Sequence, residues 1–383
     1  MGSTVLLAFG YVVLFLSNTL SSSAGIGGGL LNVAIIHSIQ GFGLKDAVVM
    51  SLAAIMGNTL VQLCINIRTR HPSDNKKSVI YWDMVLMMLP AELGGSNLGV
   101  ILSSVMPSTL MYIGAVIVLM IGGDVSLAAD GLANTRETRS GSNASQPGEQ
   151  QTRFPSLDAY LPEHTRRLGS FSGAGNVDRS EDSLLTSPVL PPMQVPWFLI
   201  AVIGLVWTCY LSLYVGMTFV PGCSLDWGII LIFVYLIVVV EVPWAYLHLT
   251  TQQKSDPHSI VVGDILWGPS ALAIPLVTFS IGVLTALLGF GGGELIGPYL
   301  LQLRIQPLVS TATSGMMSFL NTALSLIHYA ILGRVRFDTS AALFALGAVA
   351  GLCGRLFSLF VVARWDRASV LVFALVAILG LSA

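Results

Sequence analysis

Long apolar runs alternate with short polar stretches along most of this chain. A helix needs about 20 apolar residues to cross the hydrocarbon core of a bilayer. Runs of roughly that length lie near residues 4–22, 46–67, 79–103, 108–128, 196–220, 227–249, 267–288, 308–331, 339–362 and 367–383. This pattern predicts an all-α, polytopic transmembrane protein with about ten spans.

One long polar stretch interrupts the apolar pattern. Residues 130–194 are rich in Ser, Gly, Pro and Arg, a composition that buries too little apolar surface to fold. Lys and Arg concentrate in this stretch and in the loop at 68–77, which places both loops in the cytoplasm. We therefore predict four parts: a first membrane repeat at 1–129, a disordered cytoplasmic loop at 130–194, two connecting spans at 195–266 and a second membrane repeat at 267–383.

Composition narrows the classes of function. The 383 residues are 54% hydrophobic and 10% charged, with a formal net charge of -2 and no basic arm, so we expect no nucleic-acid partner. The four cysteines are scattered along the chain, which favours neither a disulfide framework nor a metal site, and we expect no cofactor. The first apolar run lacks a basic n-region and resembles a later stretch, so we interpret it as a retained span rather than a signal peptide.

A repeated pattern is the strongest signal in the sequence. The motif GIGGG at 25–29 returns as GFGGG at 289–293, and Ser51 and Asn58 return at the same spacing as Ser314 and Asn321. A spacing of seven residues is close to two helical turns, so each Ser and Asn share one helix face. Further along, Asp83 matches Asp338, and a ladder of small residues, Ser96 and Gly99, matches Gly351 and Gly354. Such ladders let membrane helices approach closely.

The glycine clusters predict two broken helices. Each is followed by a short apolar segment, at 30–40 and 294–303, about half as long as a bilayer-spanning helix. A half-helix that begins inside the membrane directs its free N–H groups and the positive end of its dipole toward a small anion. We predict a substrate site of glycine amides and neutral donors, formed by Gly27, Gly28, Gly29, Ser51, Asn58, Gly291, Gly292, Gly293, Ser314 and Asn321. Two alternatives stay open: glycines that serve only helix packing, and a repeat that is inverted rather than parallel.

Charged residues within apolar runs are functional candidates because a buried charge is costly. Glu294 begins the second half-helix, and we predict that it couples proton uptake to anion binding; an ordinary N-terminal acid is the alternative. Arg355 lies deep in a predicted span and is a candidate to hold the substrate through its guanidinium fork, unless it pairs with Glu294 or Glu241 or snorkels to the surface. Glu92 is a weaker candidate for a proton path.

Several stretches together resemble the sulfite exporter TauE/SafE family, particularly its plant and protist members. They are GIGGGLLNV, NIRTRHP followed by YWDMVLMMLPAELGGSNLGV, PGCSLDW, GFGGGELIGPYLLQL and STATSGMMSFLNTALSLIHYAILGRV. The resemblance covers most of the chain outside 130–194. It implies a permease that moves sulfite, sulfonates or related sulfur anions with proton coupling. Glu294 stands where the family pattern leads us to expect an apolar residue.

We therefore predict a transporter for a small sulfur-containing anion, with protons and the lipid bilayer as its other partners and self-association left open. An anion channel, or a carrier of another small organic anion without sulfur specificity, is the alternative. We expect no enzyme: Ser314 and His328, a nucleophile and base pair, lie fourteen residues apart on one predicted helix. That separation is about 21 Å, too far for a hydrogen bond.

Overall fold

The computed structural model describes residues 2–23, 29–72, 74, 76–106, 193, 195–221, 224–255, 264–289, 291–331 and 333–365. In these ranges the regular elements are helices, which confirms the predicted fold class. The ten α-helices are α1 (Gly2–Ser23), α2 (Gly29–Ser38), α3 (Leu44–Asn66), α4 (Trp82–Val105), α5 (Trp197–Thr218), α6 (Leu225–Ser255), α7 (Ala273–Leu288), α8 (Gly293–Gln302), α9 (Pro307–Ile331) and α10 (Phe337–Trp365). A 3-10 turn, Pro269–Leu272, leads into α7.

Six of the described helical segments are long and apolar enough to cross a membrane: α3, α4, α5, α6, α7 with its preceding 3-10 turn, and α10. Helix α9 matches the span predicted at 308–331 in position but carries many Ser and Thr residues on its buried side. The spans predicted at 108–128 and 367–383 lie outside the described residues. So does the predicted loop at 130–194, apart from Met193.

The same order of helices occurs at both ends of the chain. A helix, a ten-residue helix and two longer helices follow one another in α1 to α4 and again in α7 to α10. The two sets are interleaved, since α4 packs on α7 while α10 packs on both α1 and α3. Helices α3 and α9 also pack on each other, and each carries the short helix of its own set.

Glycines set the spacing between the interleaved helices. A Cβ atom at Gly95 of α4 would overlap the carbonyl oxygen of Phe279 on α7, and one at Gly282 would overlap the carbonyl oxygen of Glu92. A Cβ at Gly99 would also overlap the Val283 carbonyl oxygen on α7. The α4 and α7 backbones therefore touch directly, as small residues in membrane helices allow.

Helix α10 makes the corresponding contacts at the other end of the chain. A Cβ atom at Gly354 would overlap the carbonyl oxygen of Thr19 on α1, and a Cβ at Gly351 would come within 2.6 Å of Oδ1 of Asn58 on α3. Ser22 on α1 donates a 2.9 Å hydrogen bond to the carbonyl oxygen of Gly351. The predicted close approach of the small-residue ladders is confirmed at Gly99, Gly351 and Gly354.

Burial separates the centre of the molecule from its periphery. Consecutive residues Met84 to Leu89 on α4 are each 1% exposed or less, so this helix is enclosed on all sides. By contrast, α6 exposes Ile232, Val239 and Leu247, an apolar surface suited to lipid. The central helices α3, α4 and α9 carry the polar residues described next.

Candidate functional site

The first helix break lies between the end of α1 at Ser23 and the start of α2 at Gly29. Residues 24–28, which include the predicted site residues Gly27 and Gly28, lie outside the described residues. Helix α2 begins at Gly29 and has ten residues, close to the predicted half-helix at 30–40. The hydroxyl of Ser51 on α3 donates a 3.3 Å hydrogen bond to the carbonyl oxygen of Gly29, which ties α3 to the start of the short helix.

A polar chain beside the first break links three helices. The Gln62 side-chain amide donates to Oδ1 of Asn58 at 3.0 Å and to the hydroxyl of Ser22 at 3.1 Å. Ser22 in turn bonds to Gly351 of α10. Asn58 is a site residue predicted from the sequence, whereas Gln62 and Ser22 are not, because neither belongs to the repeated motif.

Arg355 lies on the part of α10 that contacts this polar chain. It is 6% exposed, and it follows by one helical turn Gly351, whose backbone packs on Asn58. Residues four apart share a helix face, so Arg355 is on the side of α10 turned toward α3. Its low exposure places the Arg355 side chain among the helices of the bundle.

The second helix break is described almost completely. Gly289 ends α7 with a φ of 78°, and Gly292 precedes α8 with a φ of 79°, both in the left-handed region that favours glycine. Helix α8 then runs for ten residues, Gly293–Gln302, against the predicted 294–303. The predicted interruption of a membrane helix by the glycine cluster is therefore confirmed here.

The carboxylate of Glu92 on α4 faces this second break. Glu92 is 0% exposed, and a Cβ atom at position 292 would overlap its Oε1 atom. The same Cβ would lie 3.3 Å from Nδ2 of Asn321 on α9, so the carboxylate and the amide meet at Gly292. From the sequence, Glu92 is a weaker candidate than Glu294. The signal that could have raised it is the stretch Gly94-Gly95-Ser96, which begins two residues after Glu92 and in which Gly95 packs α4 on α7.

Helix α9 supplies the other polar groups of the second break. The hydroxyl of Ser318 donates to the carbonyl oxygen of Gly291, and a Cβ at Gly293 would lie 3.1 Å from both the Ser318 Cβ and the Ser314 carbonyl oxygen. The Ser314 hydroxyl bonds to the Thr311 carbonyl oxygen at 3.2 Å. Glu294 is 3% exposed in the first turn of α8. Gly291, Gly292, Gly293, Ser314 and Asn321 are thus neighbours in space.

The second break and helix α9 both lie against α3. A Cβ at Gly291 would lie 2.7 Å from Cγ2 of Ile55, a residue of α3 placed between Ser51 and Asn58. A Cβ at Gly315, next to Ser314, would lie 3.4 Å from Oε1 of Gln62. Helix α3, whose Ser51 bonds to Gly29 at the start of α2, therefore also contacts Gly291 of the second break.

The two members of the nucleophile and base pair considered above have separate neighbours. The Ser314 hydroxyl bonds to its own helix, and the His328 ring packs on the Tyr214 ring with centroids 5.3 Å apart. Among the described residues, no group of three or more His, Cys, Asp or Glu side chains is arranged to hold a metal ion.

A bundle of apolar helices interrupted by glycines at a buried polar site is an arrangement typical of membrane transporters. A profile of the family described as "Sulfite exporter TauE/SafE" matches residues 187–382, slightly more than half of the chain. The chain belongs to this family and is a multi-pass integral membrane protein.

Relatives from Arabidopsis thaliana extend the similarity to nearly the whole chain. "Sulfite exporter TauE/SafE family protein 5" is 25% identical over 387 residues, which cover 97% of this chain and 80% of the relative. "Sulfite exporter TauE/SafE family protein 2" is 27% identical over 390 residues, 96% of this chain and 80% of the relative. "Sulfite exporter TauE/SafE family protein 1" is 27% identical over 389 residues, with shares of 97% and 81%. No solved structure gives a significant match to the chain.

Proposed function

We propose that this protein is a permease that moves a small sulfur-containing anion, such as sulfite or an organosulfonate, across its membrane together with protons and without changing the solute chemically. The relatives' names supply the sulfur anion as the candidate solute. The observation that carries the proposal is that two short helices, each begun by glycine, pack on α3 and on α9, and that α3 and α9 pack on each other.

The start of a helix attracts negative charge, because its first N–H groups lack partners within the helix and its dipole is positive there. Lipid cannot form hydrogen bonds with these N–H groups when a helix breaks at the membrane midplane. Many transporters bind their solutes through such groups of broken helices. In our proposal the amides of Gly27, Gly28, Gly29, Gly291, Gly292 and Gly293 contact the anion. Ser51, Asn58, Ser314 and Asn321 support the two breaks.

Arg355 supplies positive charge in this proposal. A guanidinium group presents parallel N–H donors that match two oxygens of a sulfonate or sulfite, whereas a lysine ammonium offers a single point charge. Its burial on the side of α10 turned toward α3 suits contact with an anion at the first break.

Buried carboxyl groups supply the proton coupling. An anion that crosses alone moves its charge through the membrane potential, at about 2.3 kcal/mol per elementary charge for each 100 mV. A proton that travels with the anion cancels this charge. Glu294, buried in the first turn of α8, is the coupling residue expected from the sequence, and Glu92 is a second carboxyl group at the same break.

Uptake into liposomes tests the function. Purified protein is reconstituted, and uptake of sulfite, sulfate, taurine and sulfoacetate is compared with and without an imposed pH gradient. We expect saturable uptake of a sulfur anion that accumulates when protons flow with it. Uptake that does not depend on the proton gradient would favour a channel. Equal uptake of unrelated organic anions would contradict specificity for sulfur anions.

A further inference from the structure

Glu92 has an unusual environment for a membrane-buried acid. Its side chain is 0% exposed, and neither carboxylate oxygen makes a hydrogen bond of ordinary geometry to a described residue. The polar group beside it is the Asn321 side chain, whose own Oδ1 also lacks a partner among the described residues. A buried polar group without a partner is costly, so a functional reason is required.

The position of the carboxylate supplies that reason. Oε1 of Glu92 lies against Gly292, the residue that directly precedes α8. This is the end of α8 to which an anion is attracted, so a carboxylate and a transported anion compete for one place. Two negative charges about 4 Å apart, at an effective dielectric constant of about 20, weaken binding roughly a thousandfold.

We propose that Glu92 is the proton-binding group of the second break, and that the anion enters the start of α8 only after Glu92 has taken up a proton. The inference rests on the proposed function and deepens it by naming the residue that links proton to anion. A protonated carboxyl group loses its negative charge and gains an O–H donor. The Asn321 amide, whose Nδ2 lies at this site, would present Oδ1 as the acceptor after turning over. When the anion leaves, Glu92 releases its proton and occupies the start of α8 again.

We next consider the other titratable groups on the helices around α4, to identify which acid lies at Gly292. Helix α7 contains none. On α5, the hydroxyls of Tyr210 and Tyr214 donate to the carbonyl oxygens of Pro90 at 3.0 Å and Leu93 at 2.8 Å. Glu241 is a half-buried acid on α6, whereas His328 on α9 packs on Tyr214. Glu294 on α8 follows Gly292 by two residues and is the competing candidate.

The decisive experiment compares two transport modes in liposomes for wild type, Glu92→Gln and Glu294→Gln, with sulfite as the probe. Accumulation driven by a proton gradient needs the residue to load and unload a proton. Exchange of sulfite for sulfite moves no net proton and needs only an empty, neutral site. For Glu92→Gln we expect accumulation to fall at least about tenfold while exchange stays within about threefold of wild type.

A binding titration supplies a second readout that does not depend on transport. If one proton accompanies each anion, sulfite affinity of the wild type falls by about tenfold per pH unit above the titration of the coupling acid. In Glu92→Gln this contribution of the protein should be lost, so that the affinity changes with pH only through the protonation of sulfite itself. Glu92→Asp, which retains a carboxyl group, should keep the pH dependence even if its shorter side chain lowers stability, and Asp226→Asn on the exposed start of α6 controls for removal of a carboxylate.

The outcomes separate the two proposals. Proton-driven accumulation and a contribution of the protein to pH-dependent binding that persist in Glu92→Gln overturn the assignment of Glu92 and leave the transport function standing, the more so if Glu294→Gln loses both. Absence of sulfite, sulfonate and sulfate transport by the wild type overturns the proposed function, and the role of Glu92 with it.

Discussion

Asn18 of α1 and Asn32 of α2 exchange side-chain hydrogen bonds across the first break. Nδ2 of Asn18 donates to Oδ1 of Asn32 at 2.7 Å, and Nδ2 of Asn32 donates to Oδ1 of Asn18 at 3.2 Å. Both residues are 0% exposed. The paired amides hold the short helix α2 against α1, the helix that precedes it.

Replacing one member of this pair should destabilise the protein more than replacing both. Asn18→Leu leaves the buried amide of Asn32 without its partner, at a cost of about 1–3 kcal/mol, whereas an apolar pair needs no partner. The double change Asn18→Leu with Asn32→Leu should therefore cost less than the sum of the single changes. Thermal unfolding of the detergent-solubilised variants measures the difference, and additive effects would show that the two amides act independently.

Gly292→Ala should abolish transport, while Gly333→Ala should not. Both glycines have positive φ, 79° and 68°, a conformation that residues with a Cβ rarely adopt, so alanine is strained at each. A Cβ at 333 meets no atom within 4 Å, whereas a Cβ at 292 overlaps Oε1 of Glu92. We compare sulfite uptake by the two variants, normalised to folded protein. Normal uptake by Gly292→Ala would show that the carboxylate can move aside without consequence.

Gly95→Ala should weaken the packing of α4 on α7. The added methyl group meets the carbonyl oxygen of Phe279, which belongs to the backbone and cannot rotate away; such overpacking costs about 1–3 kcal/mol. Gly204→Ala on α5 is the matched control, because nothing lies within 4 Å of its Cβ and alanine favours helix by up to about 1 kcal/mol. Melting temperatures should move in opposite directions, and a neutral Gly95→Ala would contradict direct backbone contact.

Arg355→Lys should weaken anion binding although the charge is kept. Lysine cannot present two parallel donors, so we expect the KM for sulfite to rise about tenfold, equivalent to one charged hydrogen bond. Arg336→Lys is the control, because Arg336 is exposed and lies over the Phe42 ring at 5.5 Å. An unchanged KM in Arg355→Lys would assign Arg355 a structural role.

The sequence predicted those features that depend on nearby residues. Both short helices begin within one residue of their predicted starts, because glycine clusters and segment length act locally. The ladder of Gly351 and Gly354 likewise follows from spacing along one helix. The identity of the helices that pack on this ladder does not follow from the sequence, since nothing in a single sequence indicates that α10 packs on α1 and α3.

Glu92 shows where local patterns are insufficient. Its role depends on its contact with Gly292, two hundred residues away along the chain, and on the packing of α4 against α7. Ser51 and Ser314 show that the sequence does not indicate the bonding partner of a hydroxyl group. Both are predicted as donors to a ligand. In the structure the Ser51 hydroxyl bonds to the carbonyl oxygen of Gly29 on α2, and the Ser314 hydroxyl bonds to that of Thr311 on its own helix, as helical serines often do.

The interleaving of the two sets of helices limits how this protein can open and close. Rocking one end of the chain against the other would pull apart backbones that touch at Gly95, Gly282 and Gly354. The ten-residue helices α2 and α8 are bounded by breaks and are attached mainly to α3 and α9. Access to either side of the bilayer is therefore expected to change through small tilts of these two short segments within a stationary frame.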